Sequence, residues 1–106
     1  MFARVTLHAS DLAASRRFYE TVLEPLEMQP GNVLHIVEDG RVTRRLHIGF
    51  AARTREQVDA FWQAGVDAGY RDDGAPGLRP QYRDDYYGAF VLDPDGHNVE
   101  AVHHDR

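Results

Sequence analysis

The sequence predicts a single α+β domain, residues 1–106, made of two similar strand–helix–strand units, and three observations carry that expectation. First, a short alternating strand is followed by a helical apolar stripe twice along the chain. Second, a shift of 43 residues lays Phe18-Tyr19 on Phe61-Trp62, Val5 on Ile48 and Arg4 on His47, and a shift of 65 lays Gly31 on Gly96 and His35 on Glu100. Third, the chain closes on two apolar strands around the turn Asp93-Pro94-Asp95-Gly96. Pro at the second position presets φ, and Gly tolerates the exit of a type I turn.

Taken in order, Arg4 to His8 alternates as a strand, with Val5 and Leu7 on one face and Arg4, Thr6 and His8 on the other. Ser10 or Asp11 can cap a helix whose stripe is Leu12, Tyr19, Val22, Leu23 and Leu26. Pro30-Gly31 is expected to end that region. Val33 to Val37 reads as a second strand, and Asp39-Gly40 as a hairpin turn into Arg41 to Phe50. Thr54-Arg55-Glu56-Gln57 matches a capping box, Val58, Phe61, Trp62 and Val66 supply the next stripe, and Gly69 stops it. Gly74 to Tyr82, with Pro76, Gly77 and Pro80, reads as a loop. Tyr87 to Leu92 and Asn98 to Val102 are the closing strands.

Composition narrows the chemistry. A net charge of −5 argues against a nucleic-acid surface, which needs clustered positive charge. The longest apolar runs fall far short of the roughly 20 residues that span a bilayer, and no basic segment followed by an apolar one opens the chain, so the cytoplasm is the expected location. Cys is absent, which removes disulfides and thiolate chemistry. All twelve basic residues are Arg, so a Schiff-base lysine and a P-loop are excluded. What remains is His, Asp, Glu, Tyr and Arg, a set suited to divalent metal and acid–base work. Glu100 stands in a strand that should be buried, where a carboxylate is costly unless something cationic receives it. His47 is the polar residue in another apolar strand. Together they suggest a metal, against the plainer alternatives of an edge-strand carboxylate and an imidazole bonded to backbone. The repeat makes Arg4, His35, His47 and Glu100 four equivalent inward positions. His97, His103 and His104 are expected to be exposed, by their turn and tail positions.

The chain resembles the vicinal oxygen chelate superfamily, the glyoxalase, bleomycin-resistance and extradiol-dioxygenase group. The residues that carry the resemblance are Arg4 to Leu12 with Ser15 and Phe18-Tyr19, Leu46 to Phe50, Val58 to Trp62, Gly74 to Pro80, and Tyr86 to Phe90 running through the Asp93 turn to Glu100. The resemblance implies paired βαβββ modules curling into a cup-shaped mixed sheet, with helices on the outer face and a divalent metal inside. Residues 27–45 are too few for a whole first module, which is therefore abbreviated, leaving one side of the cup open or closed by another subunit. Carried over by position, His47 and Glu100 are metal ligands, and Glu100 is also the candidate catalytic base. The family's first-strand ligand falls at Arg4, and guanidinium cannot bind a metal. His8 lies four residues on, roughly 13 Å along a strand, so His35 is the better third ligand. Arg4 then becomes a surface charge, a contact for an anionic substrate group, or a partner for Glu100 in a cup without metal. Arg79, Tyr82, Tyr86 and Tyr87 are expected around the pocket mouth, with Arg79, Tyr82 and Tyr87 contacting substrate.

Two functions follow from the resemblance. One is a metal-dependent lyase, isomerase or dioxygenase acting on a small oxygen-rich molecule held by Zn, Fe, Mn, Ni or Co. The other is a metal-free cup that binds a small molecule or drug, as bleomycin-resistance relatives do. Either is expected to be a homodimer, because an abbreviated module leaves sheet edge or apolar surface uncovered.

Overall fold

A computed structural model describes residues 4–104. In the first unit, β1 (Val5–His8) leads to α1 (Leu12–Leu23), a 3₁₀ turn at Glu24–Leu26, the short α2 (Pro30–Val33) and β2 (Leu34–Val37). The second runs from β3 (His47–Ala51) through α3 (Arg55–Asp67) to β4 (Arg71–Leu78), β5 (Tyr87–Leu92) and β6 (Asn98–His103). β1 and β2 form a parallel two-stranded sheet, and the other four form a mixed sheet in the order β3-β6-β5-β4.

The repeat read from the sequence is a repeat of strand pairing. Thr6 stands opposite His35 across β1 and β2, and Gly49 stands opposite Glu100 across β3 and β6, both pairs parallel. The two shifts differ because the second unit holds β4 and β5 between its helix and its last strand, and the first unit holds neither. The first module is abbreviated by one whole hairpin.

α1 and α3 cover the face of the strands away from Glu100. Phe18, Tyr19, Val22 and Leu23 of α1 and Val58 and Phe61 of α3 are fully buried with Val91, Val99 and Ala101 of the sheet. Burying a large apolar side chain in this way contributes about 1.5–3 kcal/mol. A Cβ on Gly65 would come within 3.3 Å of Val22 and 3.2 Å of Val91, so α3 lies against both α1 and β5 at the limit of contact. The Asp11 side chain caps α1, and Thr54 caps α3 by accepting the Gln57 N–H at 3.1 Å. Among the described residues, no helix is long and apolar enough to cross a membrane.

Several sequence expectations are corrected. Asp39-Gly40 is not a hairpin: β2 and β3 do not pair, and the segment between them crosses to β1, where Thr43 donates its N–H to His8 O at 2.8 Å. Pro30-Gly31 opens α2 instead of ending the helical region, since Pro fits the first helical turn, where its missing N–H costs nothing. Most of the expected loop at residues 74–82 is β4, an edge strand whose register shifts at Asp72/Gly74 and Gly74/Gly77. Bulged edge strands accommodate Gly and Pro. His97 is only 2% exposed, its Nδ1 accepting the Leu46 N–H at 3.2 Å, and His103 and His104 are half-buried. The turn residue Asp93 is buried too. Its Oδ2 accepts the Tyr19 hydroxyl at 2.7 Å and its Oδ1 the His97 N–H at 2.9 Å, which ties the closing turn to α1.

Candidate functional site

Alternation along β3, β5 and β6 brings His47 and Gly49, Gly88 and Phe90, and Asn98 and Glu100 onto the face of the mixed sheet that the helices leave open. Glu100 is nonetheless 2% exposed. It sits in a slot made by two glycines: a Cβ at Gly88 would stand 3.0 Å from its Oε2, and one at Gly49 would stand 3.4 Å from its Oε1. The Tyr86 hydroxyl donates to Oε2, and His47 Nε2 lies 3.3 Å from Oε1. Burial, followed by the bond to Glu100 and the Glu100 charge, pushes the Tyr86 hydroxyl well above the ordinary phenol range, so it stays a donor.

The protons on His47 follow from its neighbours. Asn98 Nδ2 donates to Asp73 Oδ2, and a carboxylate only accepts. The amide oxygen of Asn98 therefore faces His47 Nδ1 and accepts a hydrogen from it in the tautomer protonated there. In that neutral tautomer, Nε2 presents a lone pair to a carboxylate oxygen 3.3 Å away. Two acceptors so placed repel unless a cation, metal ion or proton, lies between them. Nitrogen and oxygen donors at this separation suit adjacent positions around a divalent ion whose bonds are about 2.0–2.2 Å.

The other expected site residues are spread more widely. His35 and Arg4 share a groove with Arg16, Glu20 and Gln29, which neither His47 nor Glu100 lines. Arg4 reaches Gly31 O at 3.5 Å, while Glu100 pairs with His47 and Tyr86, so the ion pair of Arg4 with Glu100 does not form within the chain. Among the described residues, no three His, Asp or Glu side chains converge as a metal site. Arg79 lies 5.4 Å above the Phe90 ring on the Glu100 side and donates to Ala75 O at 2.6 Å. Tyr82 is 59% exposed and packs edge-on against Tyr86. Tyr87, expected at the pocket mouth, faces α3 instead: its hydroxyl donates to Asp59 at 2.6 Å under the Arg55 guanidinium. Adjacent strand residues point to opposite faces, which is why Tyr86 and Tyr87 part company. A hollow of about 290 Å³ lined by Ala51, Ala52, Arg83, Val102 and His104 opens on the chain, and His104 stacks edge-on with Tyr86 5.0 Å away.

Sequence reasoning passed over Asn98 and Asp73. Asn98 was within reach of it, being two residues before Glu100 and so on the same face. Asp73 was not, because its direction depends on the bulge in β4.

The family model described as the Glyoxalase/Bleomycin resistance protein/Dioxygenase superfamily matches residues 2–101, and the chain belongs to that superfamily. Among solved structures, it is similar to a glyoxalase/bleomycin resistance protein from Albidiferax ferrireducens T118, with 30% identity, 97% of this chain and 98% of that one covered, and a TM-score of 0.76. A glyoxalase-related enzyme from Fulvimarina pelagi shares 25% identity over 97% of this chain and 87% of its own, with a TM-score of 0.71. A glyoxalase/dioxygenase from Nostoc punctiforme, 18% identical with 100% and 92% covered, has the same fold at a TM-score of 0.71. No curated protein matches the chain.

Proposed function

We propose that the chain is a metal-dependent glyoxalase-like enzyme of lyase, isomerase or dioxygenase type, acting as a cytoplasmic homodimer on a small oxygen-rich molecule. The observation that carries this reading is the facing pair of His47 Nε2 and Glu100 Oε1, held 3.3 Å apart while Asn98 holds the other ring nitrogen and Tyr86 the other carboxylate oxygen. His47 and Glu100 are the proposed ligands of a divalent ion such as Zn, Fe, Mn, Ni or Co, and His35 of a second copy completes the set, since His35 lies in a separate groove of its own chain. When bound, such an ion supplies Lewis acidity to oxygens of the small molecule. Released from the ion, Glu100 would accept a proton at Oε1 while Tyr86 holds Oε2. Arg79 and Tyr82 stand where they can orient the molecule, and Arg4 of the second copy would meet an anionic group on it.

Calorimetric titration of the purified chain with Zn²⁺, Mn²⁺ and Ni²⁺ tests this reading. The wild type should bind at least one of them, with affinity reduced about tenfold or more by His47→Ala and by Glu100→Gln. Equal affinity in all three proteins would show that the site is elsewhere. Sedimentation should report a dimer, and Arg4→His should tighten binding only at concentrations where the dimer forms. A monomer at high micromolar concentration would remove His35 from the set.

A second reading rests on the same pair. A proton on His47 Nε2 satisfies Glu100 as well as a metal does, and the cup then binds a small molecule or drug without metal, against Tyr82 and Tyr86. Absence of metal binding, together with saturable calorimetric binding of an aromatic cation, would favour it.

A further inference from the structure

We propose that Asp73 and Asn98 are positioning residues that set the tautomer of His47, so that Nε2, and not Nδ1, is the nitrogen presented to Glu100. The local sequence Asp72-Asp73-Gly74 is built for this task. β4 pairs Asp72 with Val91 and Gly74 with Phe90, which leaves Asp73 as the extra residue of a bulge. A bulge re-aims a side chain that regular alternation would send elsewhere. Asp72 anchors it on the helix side, where its Oδ1 accepts the Trp62 indole N–H at 2.9 Å and the Gly74 N–H at 2.8 Å. Asp73 turns to the opposite face and takes the amide of Asn98. Gly74 permits the geometry, because its φ is +151° and a Cβ there would stand 2.7 Å from Phe90 Cδ1.

The chemical consequence follows in order. Asp73 accepts only, so it fixes which end of the Asn98 amide faces His47. The amide oxygen then holds the hydrogen on Nδ1 and frees the Nε2 lone pair. Without this relay the hydrogen can move to Nε2, where it donates to Glu100 and occupies the position a cation would take. The effect on metal binding rests on the function proposed above, whereas the tautomer is a property of the chain without metal.

Long-range ¹⁵N–¹H correlation spectra of the imidazoles, recorded with His47 neutral, read the tautomer directly. The wild type should carry its His47 hydrogen on Nδ1, and Asn98→Ala should move it to Nε2. Zn²⁺ affinity by calorimetry should fall roughly 10–100-fold in Asn98→Ala. Asp73→Asn removes the carboxylate that orients the amide, and should give a mixture of tautomers. The exchanged double variant, Asp73→Asn with Asn98→Asp, restores a donor at 73 and an acceptor at 98. It should recover both the Nδ1 hydrogen and most of the affinity, which a merely structural pair would not do. A wild-type His47 with its hydrogen on Nε2, or a tautomer unchanged in Asn98→Ala, would overturn the proposal. If the tautomer shifts as expected but no variant and no wild-type sample binds Zn²⁺, Mn²⁺ or Ni²⁺, the positioning role stands and the metal-enzyme reading fails.

Discussion

The two modules share a strand register and differ in what surrounds it. Thr6 and His35 in the first occupy the places of Gly49 and Glu100 in the second. Glu100 is buried because β5 lies beside β6 and supplies Gly88 beneath the carboxylate, with Tyr86 just ahead of the strand. His35 is exposed because β2 has β1 on one side and no strand on the other. The hairpin that separates a complete module from an abbreviated one is thus also what turns a strand residue into a site residue. The glycines follow the same division. Gly49 and Gly88 are small where a carboxylate must sit against the sheet, and the first module, with no buried carboxylate, carries Thr6 at the equivalent of Gly49.

If the modules differ in their sites and not in their cores, the equivalent aromatic residues should cost the same to remove. Phe18 and Phe61 are both fully buried, so Phe18→Ala and Phe61→Ala should each lose about 3–5 kcal/mol in urea unfolding. A much smaller loss at Phe18 would show that the abbreviated module is only loosely attached. The glycine slot comes next. Gly88→Val drives a side chain into Glu100, Tyr86 and the Ala101 carbonyl, and should cost about 1–3 kcal/mol as an overpacked site, with the Tyr86 bond lost. Gly49→Ala places its Cβ at ordinary contact distance and should be nearly neutral by the same melting measurement.

The smallest effect concerns alkaline pH. Tyr19 is held protonated by burial and the Asp93 charge, and Tyr86 by burial and its bond to Glu100. Their folded-state pKa values are raised, so the stability they contribute is fully present below the ordinary phenol value of about 10 and is lost as pH rises above it. Tyrosinate absorbance should therefore show fewer tyrosines titrating in the folded chain than in urea. Tyr19→Phe should weaken the alkaline loss for the clasp between the units, and Tyr86→Phe should do so at the site. Two additional tyrosines titrating near pH 10 without unfolding would contradict both burials.

Local physical chemistry, read along the chain, was enough for the modular plan. Apolar periodicity marked α1 and α3, a cap at Ser10 or Asp11 and the capping box at Thr54 marked their starts, and alternation placed His47 and Glu100 on one face, because these features depend only on residues a few positions apart. The change from a shift of 43 to one of 65 marked residues lost or rearranged in the first unit, but that the missing piece is a hairpin was not legible. What lay beyond sequence was decided by contacts between distant segments. β4 forms from Gly- and Pro-bearing residues because β5 offers its edge and bulges absorb the misfit. His97 is buried because the Leu46 N–H comes to meet it from the other side of the chain. Tyr87 follows the alternation of β5 to the helix side, and only the tertiary structure supplies Asp59 and Arg55 of α3 to receive its hydroxyl and ring there. His35 and Arg4 stay apart from His47 and Glu100 because the helices, not the strand faces that bear these residues, pack the two units together. Sequence determined which face each side chain takes along the regular strands, though not at the bulges of β4. Tertiary structure decided which faces meet, because that depends on where the apolar area of each helix is buried.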